Sequence, residues 1–331
     1  MTSRDIEAVF VGVATLDAIA LVPGFPGADD RIVADEVSYA GGGPAATAAV
    51  AAARLGVRSA FVGTVGDDAN GRAVIAGLED EGVDVTGVTV AAGESTAASV
   101  VIVDRSRGTR AICNRPAPRI DVSAGADLIA AAPLVHVDHA GWEPVHRTGL
   151  VRDGGRLCVD AGNPIPGFDA QGVGLYVPTV EALRRIHGEA PSIDELLEAS
   201  IALGCRTVVA TDGSKGSYGR TSSGRSAHAP ALAVRVLSTL GAGDVFHGAL
   251  VAAVVRGLPL AEQLAFANVT AALSCRGLDG RSRIPHLAEV LATIARGPVR
   301  DPVRDPARDT GTDQALDSTA GAAAAAPSDT H

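Results

Sequence analysis

Aromatic residues make up only 3% of the 331-residue chain. Stacking platforms for single-stranded nucleic acid need more of them, which argues against that class of binder. Apolar residues still reach 47%, so the core must be aliphatic. Lysine is almost missing: Lys215 is the sole one among 28 basic residues. With 38 acidic residues the net charge is −10, which excludes a broad basic face for nucleic acid. Four cysteines (Cys113, Cys158, Cys205, Cys275) stand far apart with no CxxC pair. That leaves neither a disulfide framework nor a thiolate zinc site of ordinary spacing, and it fits a reducing cytoplasm. No run approaches the roughly 20 apolar residues of a membrane helix. The start of the chain, with Arg4, Asp5, Glu7 and Asp17, lacks the basic stretch and apolar core of a signal peptide. The expectation is a soluble cytoplasmic protein that takes neither nucleic acid nor membrane as a partner.

What is present is an alternation of short β-branched runs and Ala-rich stretches. Runs at 8–14, 59–64, 134–138, 156–160 and 207–211 read as buried strands. Stretches at 44–55, 71–81, 192–203, 242–255 and 260–274 read as helices. This pattern predicts an α/β fold, a mostly parallel central sheet with helices on both faces. Such sheets bind ligands beyond the carboxyl ends of their strands. Two half-polar segments interrupt the alternation, about 18–40 and 97–114. Each reads as an antiparallel strand pair: 18–22 with 31–39, and 97–103 with 109–113 across the turn Arg105-Ser106-Arg107-Gly108. Together they predict a small β-sheet lid. The domain spans 1–297. From Pro298 the sequence repeats Pro-Val-Arg-Asp and runs into an alanine tract, so 298–331 reads as a disordered low-complexity tail.

Four glycine-rich segments carry the chemistry. Leu240-Gly241-Ala242-Gly243-Asp244 follows a strand-like run at 232–237 and opens a helix. Orphan amides and the dipole at that helix start attract an anion. Asp244 is either a helix-start carboxylate that favours the dipole or a general base beside an anion site. Gly41-Gly42-Gly43-Pro44 precedes a helix of small residues. It is neither a Walker loop nor GxGxxG; its glycines permit tight packing or close ligand approach. Gly63-Thr64-Val65-Gly66-Asp67-Asp68 reads as a capped helix start. Thr211-Asp212-Gly213-Ser214-Lys215-Gly216 is either a plain hairpin turn or a loop that holds nucleotide phosphates.

In this order, over roughly residues 8 to 295, the segments resemble the ribokinase-like, PfkB-type family of carbohydrate kinases. The wording is most similar to its ketohexokinase and sulfofructose kinase branches. The resemblance implies a kinase working with ATP and Mg²⁺. It assigns Asp244 as catalytic base and Gly241, Ala242 and Gly243 as the anion hole. It places Asp17, Gly42, Gly43 and Asn114 around the sugar. Thr211, Gly213, Gly216 and Asn268 fall to the nucleotide, while Asp160 and Asn163 fall near the phosphates and metal. The family's lid often closes a dimer, so the resemblance opens the option of a homodimer through the lid.

The chain also departs from the family. Pro44 and Thr47 stand where many members have sugar-binding asparagines, which argues against ribose-type recognition. The Asn-x-x-Glu that helps place magnesium falls near Thr179 and Glu181, with Glu181 one residue early; Glu181 is the metal-shell candidate. Ser238 takes the place of a cation-binding aspartate, so potassium activation is not implied. No arginine follows Asp138 where a sulfonate-binding one is expected, leaving His139 or Arg115 for an anionic substrate. The function expected is ATP-dependent phosphorylation of a hydroxyl on a ketose or ketose derivative, fructose- or sulfofructose-like. The alternatives are a nucleoside kinase of the same fold and a non-catalytic sugar- or nucleotide-binding protein.

Overall fold

The computed structural model describes residues 5–151, 154–189 and 191–297; the tail expected at 298–331 lies outside them. In chain order the strands are β1 (Ala8–Val11), β2 (Thr15–Val22), β3 (Glu36–Gly42), β4 (Ser59–Gly66), β5 (Asp84–Ala91), β6 (Ala98–Asp104), β7 (Thr109–Arg115), β8 (Leu134–Val137), β9 (Leu157–Ala161), β10 (Leu175–Pro178), β11 (Thr207–Thr211), β12 (Ser217–Thr221) and β13 (Ser226–Ala229). The helices are α1 (Pro44–Arg54), α2 (Ala69–Asp80), α3 (Ala126–Ala131), α4 (Trp142–Thr148), α5 (Val180–His187), α6 (Ile193–Ala202), α7 (Ala242–Val255), α8 (Leu260–Ser274) and α9 (Leu287–Arg296).

β1 and β4 are buried at every position, as central strands covered on both faces must be. The large sheet runs β13-β12-β11-β10-β9-β8-β1-β4-β5. It is parallel from β11 to β5; only β12 and β13 run antiparallel at one edge. Helices cover its two faces with two separate, mainly aliphatic clusters, which also bury Phe10, Phe61, Phe246 and Phe266 on one face and Trp142 and Tyr176 on the other. The fold is therefore α/β, as the alternation predicts. α1 shows how a chain poor in aromatics packs: Ala45, Ala46, Ala48, Ala49, Ala51 and Ala52 are all buried. Small side chains let α1 approach α7 so closely that a Cβ on Gly248 would overlap the Ala48 carbonyl.

The second sheet runs β3-β2-β6-β7. β2·β3 and β6·β7 are antiparallel pairs, joined by parallel pairing of β2 with β6. Alternation gives it two faces. One buries Ile19, Leu21, Val101 and Val103 against Leu278. The other leaves Val37, Tyr39 and Val100 exposed.

Several elements differ from the sequence reading. The second strand of the first pair is β3, five residues later than expected at its start, because 27–35 turns first at Asp29, a non-glycine residue with φ 63°. The run at 232–237 is not a strand; it is an irregular segment, held at its end by the Leu237 amide on the Cys275 carbonyl, that leads into the Gly241 turn. β5 and the β12–β13 hairpin appear where no strand was expected.

Candidate active site

The first functional geometry lies at the carboxyl ends of β1 and β8. Asp138 accepts hydrogen bonds from the amides of Val13 (2.8 Å), Ala45 (3.3 Å), Ala140 (2.9 Å) and Gly141 (2.9 Å). One carboxylate thereby ties the exit of β1, the start of α1 and the loop after β8. A Cβ on Gly12 would overlap that carboxylate, so the turn into the lid requires glycine there. Sequence reading placed Asp138 only at a strand end.

Above this tie, β2 carries Thr15 and Asp17 into a cleft of about 560 Å³. Both are buried, and Asp17 Oδ1 and Thr15 Oγ1 have no hydrogen-bond partner. Buried polar atoms are nearly always paired, so two orphans facing a cleft mark a place for a polar ligand. Asp17 pairs in register with Ser99, and Ser99 with Asn114, forming one polar row across the lid. Gly42 lies opposite Thr15; a Cβ there would overlap the Asp17 carboxylate. Gly43, at φ 88°, caps α1, and Pro44 begins it. His139 and Arg115 line the same cleft. Arg115 already donates to the Thr96 carbonyl, at 3.0 Å from Nε and 2.6 Å from Nη2. No Phe, Tyr or Trp lines the cleft among the described residues.

The Gly-Ala-Gly-Asp segment forms the tight entry to α7. Gly241 takes φ 71°, and a Cβ on it would come within 2.8 Å of Gly280 Cα. Two backbones cross there, which only glycine permits. The Ala242 amide turns to the Thr239 carbonyl at 3.3 Å. The amides of Gly243 and Asp244, in the first turn, have no intrahelical acceptor and remain to receive an anion. Asp244 is half-buried. Burial and the nearby Asp160 carboxylate push its carboxyl up to about 7, against the pull of His247 and Arg281.

Beneath Asp244 lies a buried ion pair, His247 Nε2 to Asp160 Oδ1 at 3.1 Å. Burial opposes charge on both partners. The His247 imidazolium and its hydrogen bond nevertheless draw Asp160 down to about 2. Asp160 and Asp244 together raise His247. The pair is neutral as a unit, yet it leaves a proton-holding imidazolium one helical turn from Asp244. His136 stands beside it on β8, fully buried and pushed down to about 3 by burial and by the charge on His247.

A second cleft of about 440 Å³ opens beyond the Gly241 turn. It collects Thr211, Gly213, Gly216 and Asn268, together with Ala242 and Gly243. The loop after β11 is thus both a hairpin connection and a cleft wall. Gly213 and Gly216 take φ 52° and 96°, and a Cβ on Gly216 would overlap the Ala229 carbonyl. Asn268 does not point free: its Nδ2 donates to Ala229 O at 2.7 Å and Pro230 O at 3.3 Å, which holds the wall in place. Lys215 pairs with Asp212 at 3.2 Å. Glu181 sits in the first turn of α5, largely exposed, in an ion pair with Arg185 at 2.6 Å. It does not join the buried acids.

Arg281 is the residue that sequence reading missed. It follows α8 in an irregular loop, and no motif spacing marks it. Its buried guanidinium donates to Gly42 O (2.7 Å) and Thr47 Oγ1 (3.2 Å). Burial lowers it to about 10, while Asp17, Glu81, Asp244 and Asp279 oppose that shift and keep it charged. One cation thus lies within electrostatic reach of both Asp17 and Asp244.

Residues 5–144 and 171–287 match the description "pfkB family carbohydrate kinase". The chain is 28% identical over 282 residues to a ribokinase of Schizosaccharomyces pombe, a match covering 77% of this chain and 87% of the relative. It is 29% identical over 290 residues to fructokinase-1 of Zea mays, covering 77% of this chain and 88% of the relative. Among solved structures, Arabidopsis thaliana ribokinase complexed with ribose and ATP superposes with a TM-score of 0.73 at 25% identity, covering 87% of this chain and 98% of that one.

Proposed function

Because the chain belongs to the pfkB family of carbohydrate kinases, we propose that it transfers the γ-phosphoryl of ATP to a hydroxyl of a ketose or ketose derivative in the cytoplasm. The observation that carries this reading is that two carboxylates, buried Asp17 in the first cleft and half-buried Asp244 next to Gly243 of the second cleft, both act electrostatically on the same buried Arg281. Support for an enzyme over a silent binder is the raised Asp244 carboxyl, since a binder has no use for a base held near neutrality.

The steps follow from this chain's own residues. Asp17 Oδ1 and Thr15 Oγ1 accept or share hydrogen bonds with sugar hydroxyls, and Asn114 and the Gly42–Gly43 backbone complete the fit. The nucleotide lies along the second cleft, against Thr211, Gly213 and Gly216, with Asn268 holding the wall behind it. Its terminal phosphate meets the Gly243 and Asp244 amides. The sugar oxygen then bonds to the γ-phosphorus, the bond from that phosphorus to the ADP oxygen breaks, and Asp244 takes the hydroxyl proton. Arg281 and the amide dipoles offset the charge that spreads over the phosphoryl oxygens, and the lid excludes water. Catalysis of this kind is mostly positioning and fixed charge.

Mg²⁺ would accompany the nucleotide phosphates; Asn163, which lines the first cleft, offers an oxygen donor, whereas Glu181 is exposed, paired with Arg185 and lines neither cleft. When bound it neutralises phosphate charge. A ketose is favoured over a nucleoside because the first cleft lacks an aromatic wall for a base, and over ribose because Pro44 and Thr47 replace sugar-binding amides. His139 and Arg115 suit an anionic ketose derivative. A homodimer is proposed through the lid face bearing Val37, Tyr39 and Val100, whose exposure of 61%, 74% and 54% is high for apolar strand residues. The direct test is Asp244→Asn. Turnover should fall by about 10²- to 10⁴-fold while ATP and sugar still bind; activity close to wild type would overturn the assignment.

A further inference from the structure

Three residues packed beneath Asp244 take no part in the phosphoryl transfer. His136 from β8, Asp160 from β9 and His247 from α7 each present one donor atom, all within 4.8 Å of one another, and all three side chains are buried. Three ring nitrogens in this cluster have no partner: Nδ1 and Nε2 of His136, and Nδ1 of His247. His136 is 0% exposed, so bulk water does not satisfy it. A buried imidazole with both nitrogens unpaired is costly and rare, and calls for an occupant. The neighbourhood is also acidic, with Asp138 and Asp244 close enough to Asp160 to influence or be influenced by its charge.

We propose that His136, Asp160 and His247 form a binding site for a transition-metal dication of the zinc type, separate from the magnesium that accompanies the nucleotide. Two imidazoles and one carboxylate make a borderline-soft set that suits Zn²⁺ or Co²⁺, whereas Mg²⁺ prefers oxygen alone. The Asp160–His247 separation of 3.1 Å is about that of two ligand atoms sharing an ion with bonds near 2.0–2.2 Å. His136 is held neutral and so already carries a free lone pair. The bound ion takes the place of the proton shared by the His247–Asp160 pair. It links α7 to β8 and β9 one helical turn beyond Asp244, fixing the helix that carries the catalytic turn.

The test is equilibrium dialysis of chelator-stripped full-length protein against Zn²⁺ and Co²⁺, with elemental analysis, the Co²⁺ visible spectrum and thermal melting. The expected result is one equivalent per chain, a visible band of low-coordinate Co²⁺, and a Tm raised by Zn²⁺. A thousandfold excess of Mg²⁺ should leave the bound Co²⁺ in place. His136→Asn and, independently, His247→Gln should lose the equivalent, the band and the Tm shift, which separates this site from adventitious binding at surface histidines. If either variant fails to fold, the wild-type stoichiometry and spectrum still decide. No low-coordinate Co²⁺ band in the wild type, ready displacement by Mg²⁺, or retention of the metal by a folded His136→Asn protein would overturn the proposal; the first result would mean that a trapped water fills the gap.

Discussion

Arg281 Nη2 donates to the carbonyl of Gly42 across 2.7 Å, although the two residues stand 239 positions apart in the chain. The contact fixes the glycine segment that shapes the Asp17 pocket to the loop whose Gly280 crosses Gly241. Both clefts therefore share one buried cation as a common reference point. Replacing it should disturb both. Arg281→Met leaves Asp17, Asp244 and Asp279 without their counter-charge, and removing one partner from a buried charge network costs about 3–5 kcal/mol. Arg281→Lys keeps charge but loses the fork that reaches Gly42 and Thr47 together. Urea denaturation should rank wild type above Lys above Met, and the Lys protein should have a raised sugar KM. A Met variant as stable and active as wild type would show that the guanidinium is a bystander.

The Asp244 carboxyl, held up to about 7, sets a pH dependence with a definite sign. The base form fills as pH rises through that value, so kcat/KM should climb on the acid side and level off above it. Stability runs the other way. The folded state holds the Asp244 proton to a higher pH than the unfolded chain does, so this group's contribution shrinks as pH rises from about 4 toward 7. Asp244→Asn should remove the acid limb of any residual activity. It should also melt at a temperature equal to or above wild type at pH 8, where the native carboxylate is charged and poorly solvated. A clear loss of Tm in the Asn variant at that pH would contradict the account.

Two glycines offer a matched pair of substitutions. A Cβ on Gly42 would overlap Asp17 Oδ2, and one on Gly216 would overlap the Ala229 carbonyl. Gly42→Ala should raise the sugar KM and spare the ATP KM. Gly216→Ala is strained twice, by the clash and by φ 96°, and should raise the ATP KM and spare the sugar. Steady-state kinetics with each substrate varied in turn checks both. Crossed effects, with Gly42→Ala acting on ATP, would mean the clefts are assigned the wrong way round.

The exposed lid face gives a prediction about assembly. Tyr39, Ala18, Val100 and Cys113 lie in one row across the four strands of the lid. Val100→Glu and Tyr39→Asp put charge on that row without touching the Asp17 face. Sedimentation should find a wild-type dimer and variant monomers. A monomeric wild type at micromolar concentration would remove the lid interface from the account.

The sequence made the fold class legible because its signals are local. α7 and α8 begin and end at the residues that periodicity indicates, since Gly241 and Pro259 stop the chain from extending either helix backward. The strands β1, β4, β8, β9 and β11 stand out for the same reason: each lies in a short, largely apolar run, and the runs of β8, β9 and β11 end near a polar residue. β5 was hidden because it is half-buried and alternates weakly, as edge strands do. The run at 232–237 misled in the opposite sense: Leu232, Val234, Val236 and Leu237 have strand composition but no strand neighbour, and several instead line the second cleft. At the site, the glycine turns and Asp244 could be read because their chemistry is written in consecutive residues. Arg281, Asp138 and His136 could not. Arg281 acts on Gly42, Asp138 on the amides of Val13 and Ala45, and His136 on a pair contributed by β9 and α7. Each role exists only after distant segments meet, and no local spacing encodes it.

The most direct measurement is ATP-dependent ADP release and product identification with the full-length protein against a panel of ketoses, their phosphorylated and sulfonated forms, and nucleosides. Turnover is expected with at least one ketose or anionic ketose derivative, with a strongly raised KM for that sugar and an unchanged ATP KM in Asp17→Ala, and nothing above background with adenosine, inosine or cytidine. Robust phosphorylation of nucleosides together with silence on every ketose would contradict the substrate assigned to the Asp17 cleft. ADP release with none of the panel, from a protein that still binds them, would contradict the phosphoryl transfer itself.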